Sequence, residues 1–508
     1  MLNFFQDKKL FLVPLIIFCL AFFLRTYNLP NLYVFNLDEE YQATYAWTQV
    51  LDPHPIWIGV VAAAIEFYLG PYFTYFTAIM LKISNGDPLI TAYFAALVGA
   101  VVSTVIFFTG RYFFNLTTGI ISSLLYATLP IFVFFDQKYW NAMFAVLITL
   151  LMFISINLVR KSKWWWVLFS LLLGAIFETQ LAPLPLALIG IWYFIRGKYW
   201  KDVRLIMICI ITFLLLYWPL IVFDFNHNFS NITFFMKLSD KASQSKIEFS
   251  PISKINSLFD SMGRFWYLKP NNPNADEINF GCTSLSLANG HEVIDKYSRR
   301  TYAPFWLSFV SLSLLLLFLT KNLTTKKLPY KLLAIFLIVS GSFYLIYPGG
   351  SFEYYSLGFL TLFTFVPAIF ISMLNKNFKL ISFILILTAS LFGIHTVLNS
   401  SDEFSLGPKK HLISKMMDVI GNESFAIEGR GICHDYEGWR YLFKIYGRVP
   451  NQSYTDKILG WLYPNEISKI DPTYTIILSE DRIPLNEDLS NLYSIKEGGY
   501  RAYIRKNK

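Results

Sequence analysis

Cysteine and charge are both scarce in this chain of 508 residues. The four cysteines show none of the close spacings used by zinc or iron–sulfur sites, and Cys19 and Cys209 lie inside apolar runs. Only 15% of the residues are Asp, Glu, Lys or Arg, whereas 55% are hydrophobic and 18% are aromatic. This composition excludes an ordinary soluble globular protein and indicates a chain that is largely surrounded by lipid.

A long basic face is also missing, although the formal net charge is +9. Lys and Arg occur in short clusters between apolar runs, so a nucleic-acid partner is not expected. No internal repeat or low-complexity tract is visible. Many transporters contain duplicated halves and ionisable residues near the bilayer midplane. A multi-span transporter or lipid flippase is therefore an alternative that this sequence does not favour. A catalytically inactive membrane scaffold is a third alternative.

The first long apolar run covers residues 10–24 and follows Lys8 and Lys9. A secretory signal would end in small residues at a cleavage site, but this run ends in Phe22-Phe23-Leu24-Arg25. We therefore expect a retained transmembrane helix with a cytoplasmic N-terminus. Since the run is short, Lys9 and Arg25 are expected to extend to the two membrane interfaces.

Ten further apolar runs give about eleven predicted spans. These are residues 10–24, 88–109, 117–135, 141–159, 164–180, 181–195, 203–220, 302–320, 332–347, 356–374 and 379–397. Alternating their direction places the Lys and Arg clusters in inner loops, as the positive-inside rule requires. It places these acids on the outer side: Asp38, Glu39, Glu40, Asp52, Glu66, Asp87, Asp136, Glu178, Asp224 and Glu353.

Two long outer loops are predicted, at about 25–87 and 221–301. The first contains an amphipathic segment at 38–51 and an interfacial helix at 71–81. Composition changes after residue 397, so residues 1–397 form the predicted membrane module and 398–508 a soluble extracytoplasmic α/β domain. Within this domain, 473–478 predicts a strand and 493–504 a hairpin. The predicted fold class is therefore a mainly α, polytopic helical membrane protein with a small C-terminal α/β domain.

Asp38 and Glu39 are the leading candidates for chemistry. A carboxylate at a membrane surface can accept a proton from a hydroxyl nucleophile or bind a divalent metal that neutralises phosphate. The alternative is structural, with Asp38 capping the following helix and the next two glutamates solvated.

Several outer motifs resemble a known family. They are Phe23-Leu24-Arg25 leading to Asp38-Glu39, Gly70-Pro71-Tyr72-Phe73-Thr74-Tyr75, Gly86-Asp87-Pro88, Gly110-Arg111-Tyr112-Phe113, the segment 130–141, the segment 223–229, and Glu353-Tyr354-Tyr355. Together they resemble the polyprenyl-phosphate-sugar-dependent membrane glycosyltransferases of the GT-C fold, which include protein mannosyltransferases and the lipid A aminoarabinose transferase.

The resemblance implies transfer of a monosaccharide from a polyprenyl-phosphate carrier, with inversion and with Asp38 as general base. It implies a second acid where the third and fourth helices meet. Asn141 stands there in this chain, and an amide cannot act as a base, so either Asp136 substitutes for it or the site relies on Asp38 alone. Asp136 as a solvated residue beside Lys138 is the alternative.

The remaining candidates have binding roles. The resemblance implies that Glu66 and His227 share a divalent metal, and the alternative is that His227 orients the substrate or caps a helix. Substrate-binding candidates are Asn141, Glu178, Gln180, Asp224, Asn228, Arg300, Glu353, Tyr354 and Tyr355. For Glu178 the alternative is hydrogen bonding between helices, and for Arg300 it is an interface anchor. The sugar and the acceptor, which is a glycan, a lipid or a protein, stay open. A bacterial cytoplasmic membrane is expected.

Overall fold

The structure is a computed structural model, and it describes residues 8–62, 67–233, 251–268, 303–347, 353–430, 438–481, 485 and 489–507. Two of the site candidates, Glu66 and Arg300, lie outside these residues.

Every predicted span coincides with helix. The helices of the membrane module are α1 Lys8–Thr26, α2 Leu37–Leu51, α3 Tyr72–Ile83, α4 Leu89–Phe113, α5 Leu116–Thr128, α6 Pro130–Phe135, α7 Phe144–Leu158, α8 Trp165–Glu178, α9 Leu186–Arg196, α10 Val203–Asn226, α11 Pro251–Arg264, α12 Phe305–Asn322, α13 Leu328–Ile346, α14 Leu357–Phe363, α15 Phe365–Met373 and α16 Lys376–Leu398. Among the described residues, seven helical segments are long and apolar enough to cross a membrane, and four apolar helices are shorter. The chain is an integral membrane protein.

Two predicted spans are broken. The run 117–135 divides into α5 and α6 because Pro130 has no amide hydrogen to continue the hydrogen-bond ladder of α5. The run 356–374 divides at Thr364 into α14 and α15. The break at Pro130 leaves carbonyls at the end of α5 without a helical donor, and Arg25 donates hydrogen bonds to two of them.

Small residues let helices approach closely. At the contact between α4 and α5, a Cβ added to Gly110 would lie 2.7 Å from the Cα of Gly119. Between α8 and α10, a Cβ on Gly174 would lie 3.0 Å from the carbonyl oxygen of Phe213. Lipid supplies no hydrophobic force between helices, so such close backbone packing helps to hold them together.

The segment between α1 and α4, which is the first predicted outer loop and is called the first outer segment below, contains α2, a two-stranded ribbon and α3. The strands are β1 Val61–Ala62 and β2 Phe67–Tyr68, and they are antiparallel. Helices α2 and α3 match the two helical segments that the sequence predicts in this loop.

The C-terminal region has the predicted α/β character. Its helices are α17 Leu406–Ile420, α18 Trp439–Tyr446 and α19 Asp456–Leu459, and its strands are β3 Phe425–Gly429, β4 Gln452–Ser453, β5 Tyr474–Glu480, β6 Tyr493–Glu497 and β7 Tyr500–Lys506. The sheet order is β4-β3-β5-β7-β6. Strand β3 is parallel to β4 and β5, whereas β7 is antiparallel to β5 and β6.

This C-terminal region docks on the first outer segment. The amides of Asp402 and Leu406 donate to the carbonyls of Asn31 (2.7 Å) and Tyr33 (2.8 Å). The hydroxyl of Tyr446 donates to Asp87 Oδ1 at 2.8 Å. The C-terminal region therefore packs directly against the loop that carries the leading catalytic candidates.

Candidate active site

Three consecutive acids at the start of α2 point in different directions. The side chain of Asp38 is 50% exposed, whereas Glu39 and Glu40 are buried. Glu40 Oε2 accepts a hydrogen bond from the amide of Gly438 at 2.8 Å, so this acid binds the C-terminal region. The alternative in which Glu39 and Glu40 are solvated is wrong. Asp38 does not occupy the capping position either, since the N-cap of α2 is Asn36.

Lys138 joins the two candidate carboxylates. Its Nζ lies 3.7 Å from Asp38 Oδ2 and 3.5 Å from Glu39 Oε1, and its side chain is 11% exposed. The same ammonium lies 4.2 Å from the ring centroid of Trp140, where a cation is attracted to the aromatic face. Asp38, Glu39 and Lys138 therefore form one cluster of two acids and one cation, called the Lys138 cluster below.

A small, partly open cleft of about 60 Å³ borders Lys138. Its walls are mostly apolar, and its charged residues are Lys138, Glu353 and Asp402. The apolar wall residues are Leu32, Val34, Ile131, Phe134, Phe135 and Leu268. The cleft therefore places the Lys138 ammonium at the edge of an apolar surface.

The environment of Glu39 changes its acidity. Burial raises the pKa of its carboxyl to about 7, with Asp38 acting in the same direction and Lys138 opposing it. Oε2 accepts a hydrogen bond from the amide of Asn36 at 3.2 Å. Glu39 therefore exchanges its proton near neutral pH.

Replacing Glu39 with glutamine should change how stability depends on pH. The folded protein holds the Glu39 proton more tightly than the unfolded chain, so its stabilising effect is present below pH 4.5 and is lost as the pH rises to about 7. From pH 4.5 to 8, the free energy of unfolding of the wild type should fall by roughly 3 kcal/mol relative to Glu39→Gln. Denaturation in detergent measures this difference. An Asp52→Asn control should keep the wild-type slope, and equal slopes for Glu39→Gln and the wild type would contradict the assignment.

Asp136 is already occupied by a buried ion pair. Arg25 donates to its Oδ2 from Nε at 2.8 Å, and Tyr126 donates to Oδ1 at 3.1 Å. The expectation that Arg25 extends to the membrane interface is wrong, because this residue is fully buried. Its guanidinium also donates to the carbonyls of Tyr126 and Ala127, which end α5 before the break at Pro130. The solvated alternative for Asp136 is wrong as well, and its carboxylate serves an ion pair.

A second buried ion pair joins α11 to the segment before α14. Arg264 donates from Nε to Glu353 Oε1 at 2.7 Å, and both residues are at least 95% buried. The neighbouring Tyr354 packs edge-on against Trp140, with ring centroids 4.5 Å apart. Tyr354 also contacts Tyr355, at 4.2 Å between centroids. Tyr354 therefore lies against Trp140, whose ring Lys138 contacts, and Glu353 lines the same cleft as Lys138. The roles of Glu353, Tyr354 and Tyr355 as site residues stay predictions.

Glu178 belongs to a different cluster that anchors the start of α3. Its Oε2 accepts from the amide of Tyr72 at 2.8 Å, where the first turn of α3 lacks internal partners. A Cβ on Gly70 would lie 1.7 Å from Glu178 Oε1, so a larger residue at position 70 would displace the Glu178 carboxylate. This contact corresponds to the alternative of hydrogen bonding between helices.

Asp224 organises the turn after α10. Its Oδ1 accepts from the amide of Asn231 at 2.8 Å, and the Asn231 side chain pairs with both backbone groups of Tyr68. Asn228 is exposed with a left-handed backbone (φ 54°). Of the described residues, those lining the cleft include none of Asn141, Glu178, Gln180, Asp224 and Asn228.

The metal prediction has incomplete support. His227 is exposed, its Nδ1 lies 2.8 Å from the carbonyl of Phe223, and its ring stacks on the Phe223 ring at 4.1 Å. Glu66 lies outside the described residues. Within the part of the chain that the structure describes, no group of three or more His, Cys, Asp or Glu side chains is arranged to hold a metal ion. The described residues alone therefore do not make a metal centre.

Comparison with known proteins gives structural but not sequence relatives. No family model and no curated protein matches the chain. ArnT from Cupriavidus metallidurans, solved bound to undecaprenyl phosphate, is similar with a TM-score of 0.61 and 9% identity, covering 98% of each chain. Archaeal oligosaccharyltransferase AglB from Archaeoglobus fulgidus, solved with an inhibitory peptide and a dolichol-phosphate, is similar with a TM-score of 0.51 and 10% identity. That match covers 93% of this chain and 70% of AglB.

Another AglB structure, in complex with Zn and sulfate, has a TM-score of 0.50 and 10% identity over 92% of this chain and 67% of AglB. At these identities the likeness concerns the fold. ArnT and AglB are both GT-C glycosyltransferases. The chain therefore has the GT-C fold of these polytopic membrane glycosyltransferases, as its outer motifs predict.

Proposed function

We propose that this protein is a glycosyltransferase that moves a monosaccharide from a polyprenyl-phosphate carrier to an acceptor hydroxyl on the extracytoplasmic face of a cell membrane. The observation that carries the proposal is the position of Lys138. Its ammonium stands between two carboxylates and borders a mostly apolar cleft. In a polyprenyl-phosphate donor, the apolar chain would contact the apolar wall of the cleft and the phosphate would contact the Lys138 ammonium.

In the reaction, the acceptor hydroxyl attacks the anomeric carbon while Asp38 takes the hydroxyl proton. The new carbon–oxygen bond forms as the bond from the anomeric carbon to the phosphate oxygen breaks, and the electron pair leaves with the lipid phosphate. Lys138 stabilises the charge that develops there. A single displacement inverts the anomeric centre, so no covalent sugar intermediate on the protein is needed. Asp38 suits the role of base because half of its side chain is accessible.

Glu39 adjusts the balance between Lys138 and Asp38. When Glu39 is neutral, Asp38 alone pairs with Lys138, and its carboxylate oxygens are less available to the acceptor hydroxyl. When Glu39 is ionised, it shares the ammonium, so activity should rise as the pH passes through the pKa of Glu39 near 7. Tyr354, which is partly exposed, offers an aromatic face for the sugar, and Trp140 supports both Tyr354 and Lys138. The ion pair between Glu353 and Arg264 holds the segment that carries Tyr354.

Ligands of the structural neighbours agree with this donor class. ArnT has been solved with undecaprenyl phosphate and AglB with a dolichol-phosphate. The acceptor, whether glycan, lipid or protein, is left open. The orientation follows from the charge distribution, with a cytoplasmic N-terminus and an extracytoplasmic C-terminal domain. Divalent metal at Glu66 and His227 stays a prediction.

A Lys138→Met variant should test the proposal. Methionine keeps the length of the side chain and removes the charge, so the leaving phosphate loses its counterion. Membranes would be supplied with a labelled polyprenyl-phosphate hexose, and the label transferred to any acceptor would be measured. We expect transfer to fall by about a hundredfold or more, the range typical for loss of one preorganised charge-stabilising group.

The control is Lys457→Met, which changes an exposed lysine in the C-terminal domain and should leave transfer unchanged. Wild-type membranes that transfer no label from any polyprenyl-phosphate hexose or pentose would contradict the proposed function. Equal transfer by Lys138→Met and the wild type would remove Lys138 from the mechanism.

A further inference from the structure

Lys409 is a fully buried cation at the junction between the C-terminal region and the first outer segment. It lies on α17, and its Nζ donates to the carbonyl of Phe35 at 2.9 Å and to Asn36 Oδ1 at 3.1 Å. The ring centroids of Trp439 and Tyr500 lie 5.2 and 5.1 Å from the same ammonium. Burying an ammonium is costly, so its position between two aromatic rings and two oxygen acceptors indicates a specific role.

The carbonyl of Phe35 and the backbone amide of Asn36 belong to one peptide group. Lys409 binds the carbonyl of the Phe35–Asn36 peptide, while the amide of the same peptide donates to Glu39 Oε2 at 3.2 Å. A peptide group is planar, so fixing its carbonyl also fixes the direction of its N–H. A donor at the carbonyl also polarises the group and strengthens the N–H as a donor.

We propose that Lys409 is a positioning residue for the candidate active site, acting through the Phe35–Asn36 peptide to orient the Glu39 carboxylate and thereby the Lys138 ammonium. The inference rests on the proposed function. It gives the C-terminal domain a role in the site, because Lys409 binds Phe35, which lies 374 residues earlier in the chain.

The charged and titratable groups that face Glu39 come from three places. Asp38 is its neighbour on α2, Lys138 approaches from the segment after α6, and Tyr33 lies before α2. Lys409 adds its influence through the peptide. Because a hydrogen bond to the ionised carboxylate favours ionisation, loss of Lys409 should make Glu39 harder to ionise.

The test compares Lys409→Met with Lys410→Met. Lys410 is the next residue of α17 and also links the C-terminal region to the first outer segment, since its Nζ lies 3.9 Å from Asp87 Oδ2. It has no contact with the Phe35–Asn36 peptide among those that the structure records for it. We expect Lys409→Met to lower kcat at pH 7 about tenfold with little change in KM for the labelled polyprenyl-phosphate sugar. Lys410→Met should match the wild type.

The pH profile separates positioning from loss of fold. The acid limb of kcat should move to higher pH in Lys409→Met, and the position of that limb does not depend on how much protein is folded. In a Glu39→Gln background, adding Lys409→Met should cause no further loss, because its target is already changed. An unmoved limb, or a further tenfold loss in that background, would overturn the proposal. If the wild type transfers no sugar, the proposed function fails and this role fails with it.

Discussion

Replacing Asp38 with asparagine is expected to lower the rate of sugar transfer by at least about a hundredfold, because an amide cannot accept the proton of the attacking hydroxyl. The change is nearly isosteric, and the side chain is half exposed, so the amount of folded protein should stay the same. Transfer from a labelled polyprenyl-phosphate hexose to the acceptor measures the effect. A loss confined to kcat would indicate that donor binding is intact.

The matched control is Asp52→Asn, at the other end of α2. Its side chain is 92% exposed, and it should transfer sugar at the wild-type rate. Equal turnover by Asp38→Asn and the wild type would reject Asp38 as the base. It would leave the fold and the membrane location untouched.

The second large effect is expected on stability. Asp136→Leu leaves the Arg25 guanidinium buried without its carboxylate, and such a change typically costs about 3–5 kcal/mol of the free energy of unfolding. A large fall in the denaturation midpoint in detergent should follow. The double variant Arg25→Met/Asp136→Leu should recover part of the loss, because a buried ion pair can be replaced by apolar side chains. The recovery stays incomplete since Arg25 also caps the carbonyls of Tyr126 and Ala127.

A third variant, Asp136→Asn, decides whether Asp136 has a catalytic role. If it serves the ion pair, folded Asp136→Asn should retain most of its transfer activity. A loss of a hundredfold or more in a protein of unchanged stability would instead identify Asp136 as the second acid that the resemblance implies.

The helical architecture could be predicted because lipid imposes a strong rule on sequence. A span needs a continuous apolar run, so each predicted run coincides with helix. The helix breaks at Pro130 and Thr364 were harder to predict from the sequence, because the segments on both sides of each break are apolar. The hairpin at 493–504 followed from its alternation on either side of a glycine pair.

The site was only partly predictable. Alternating the predicted spans groups the acids on one predicted side, and Asp38 and Glu39 do lie near Lys138, while Glu353 lines the same cleft. Which acid is paired cannot be inferred from composition, because it depends on contacts between residues far apart, such as Arg25 with Asp136 and Arg264 with Glu353. The burial of Lys409 could not be predicted from the sequence, because this lysine lies in an amphipathic helix of the C-terminal region, where an exposed lysine is usual.

The contact between Phe35 and Lys409 has a consequence for biosynthesis. A ribosome adding about 5–20 residues per second needs roughly 20–75 s to make the 374 residues between them. During that interval the Phe35–Asn36 peptide has no Lys409 to bind. The contact can form only after α17 has been synthesised and has packed against the segment that precedes α2.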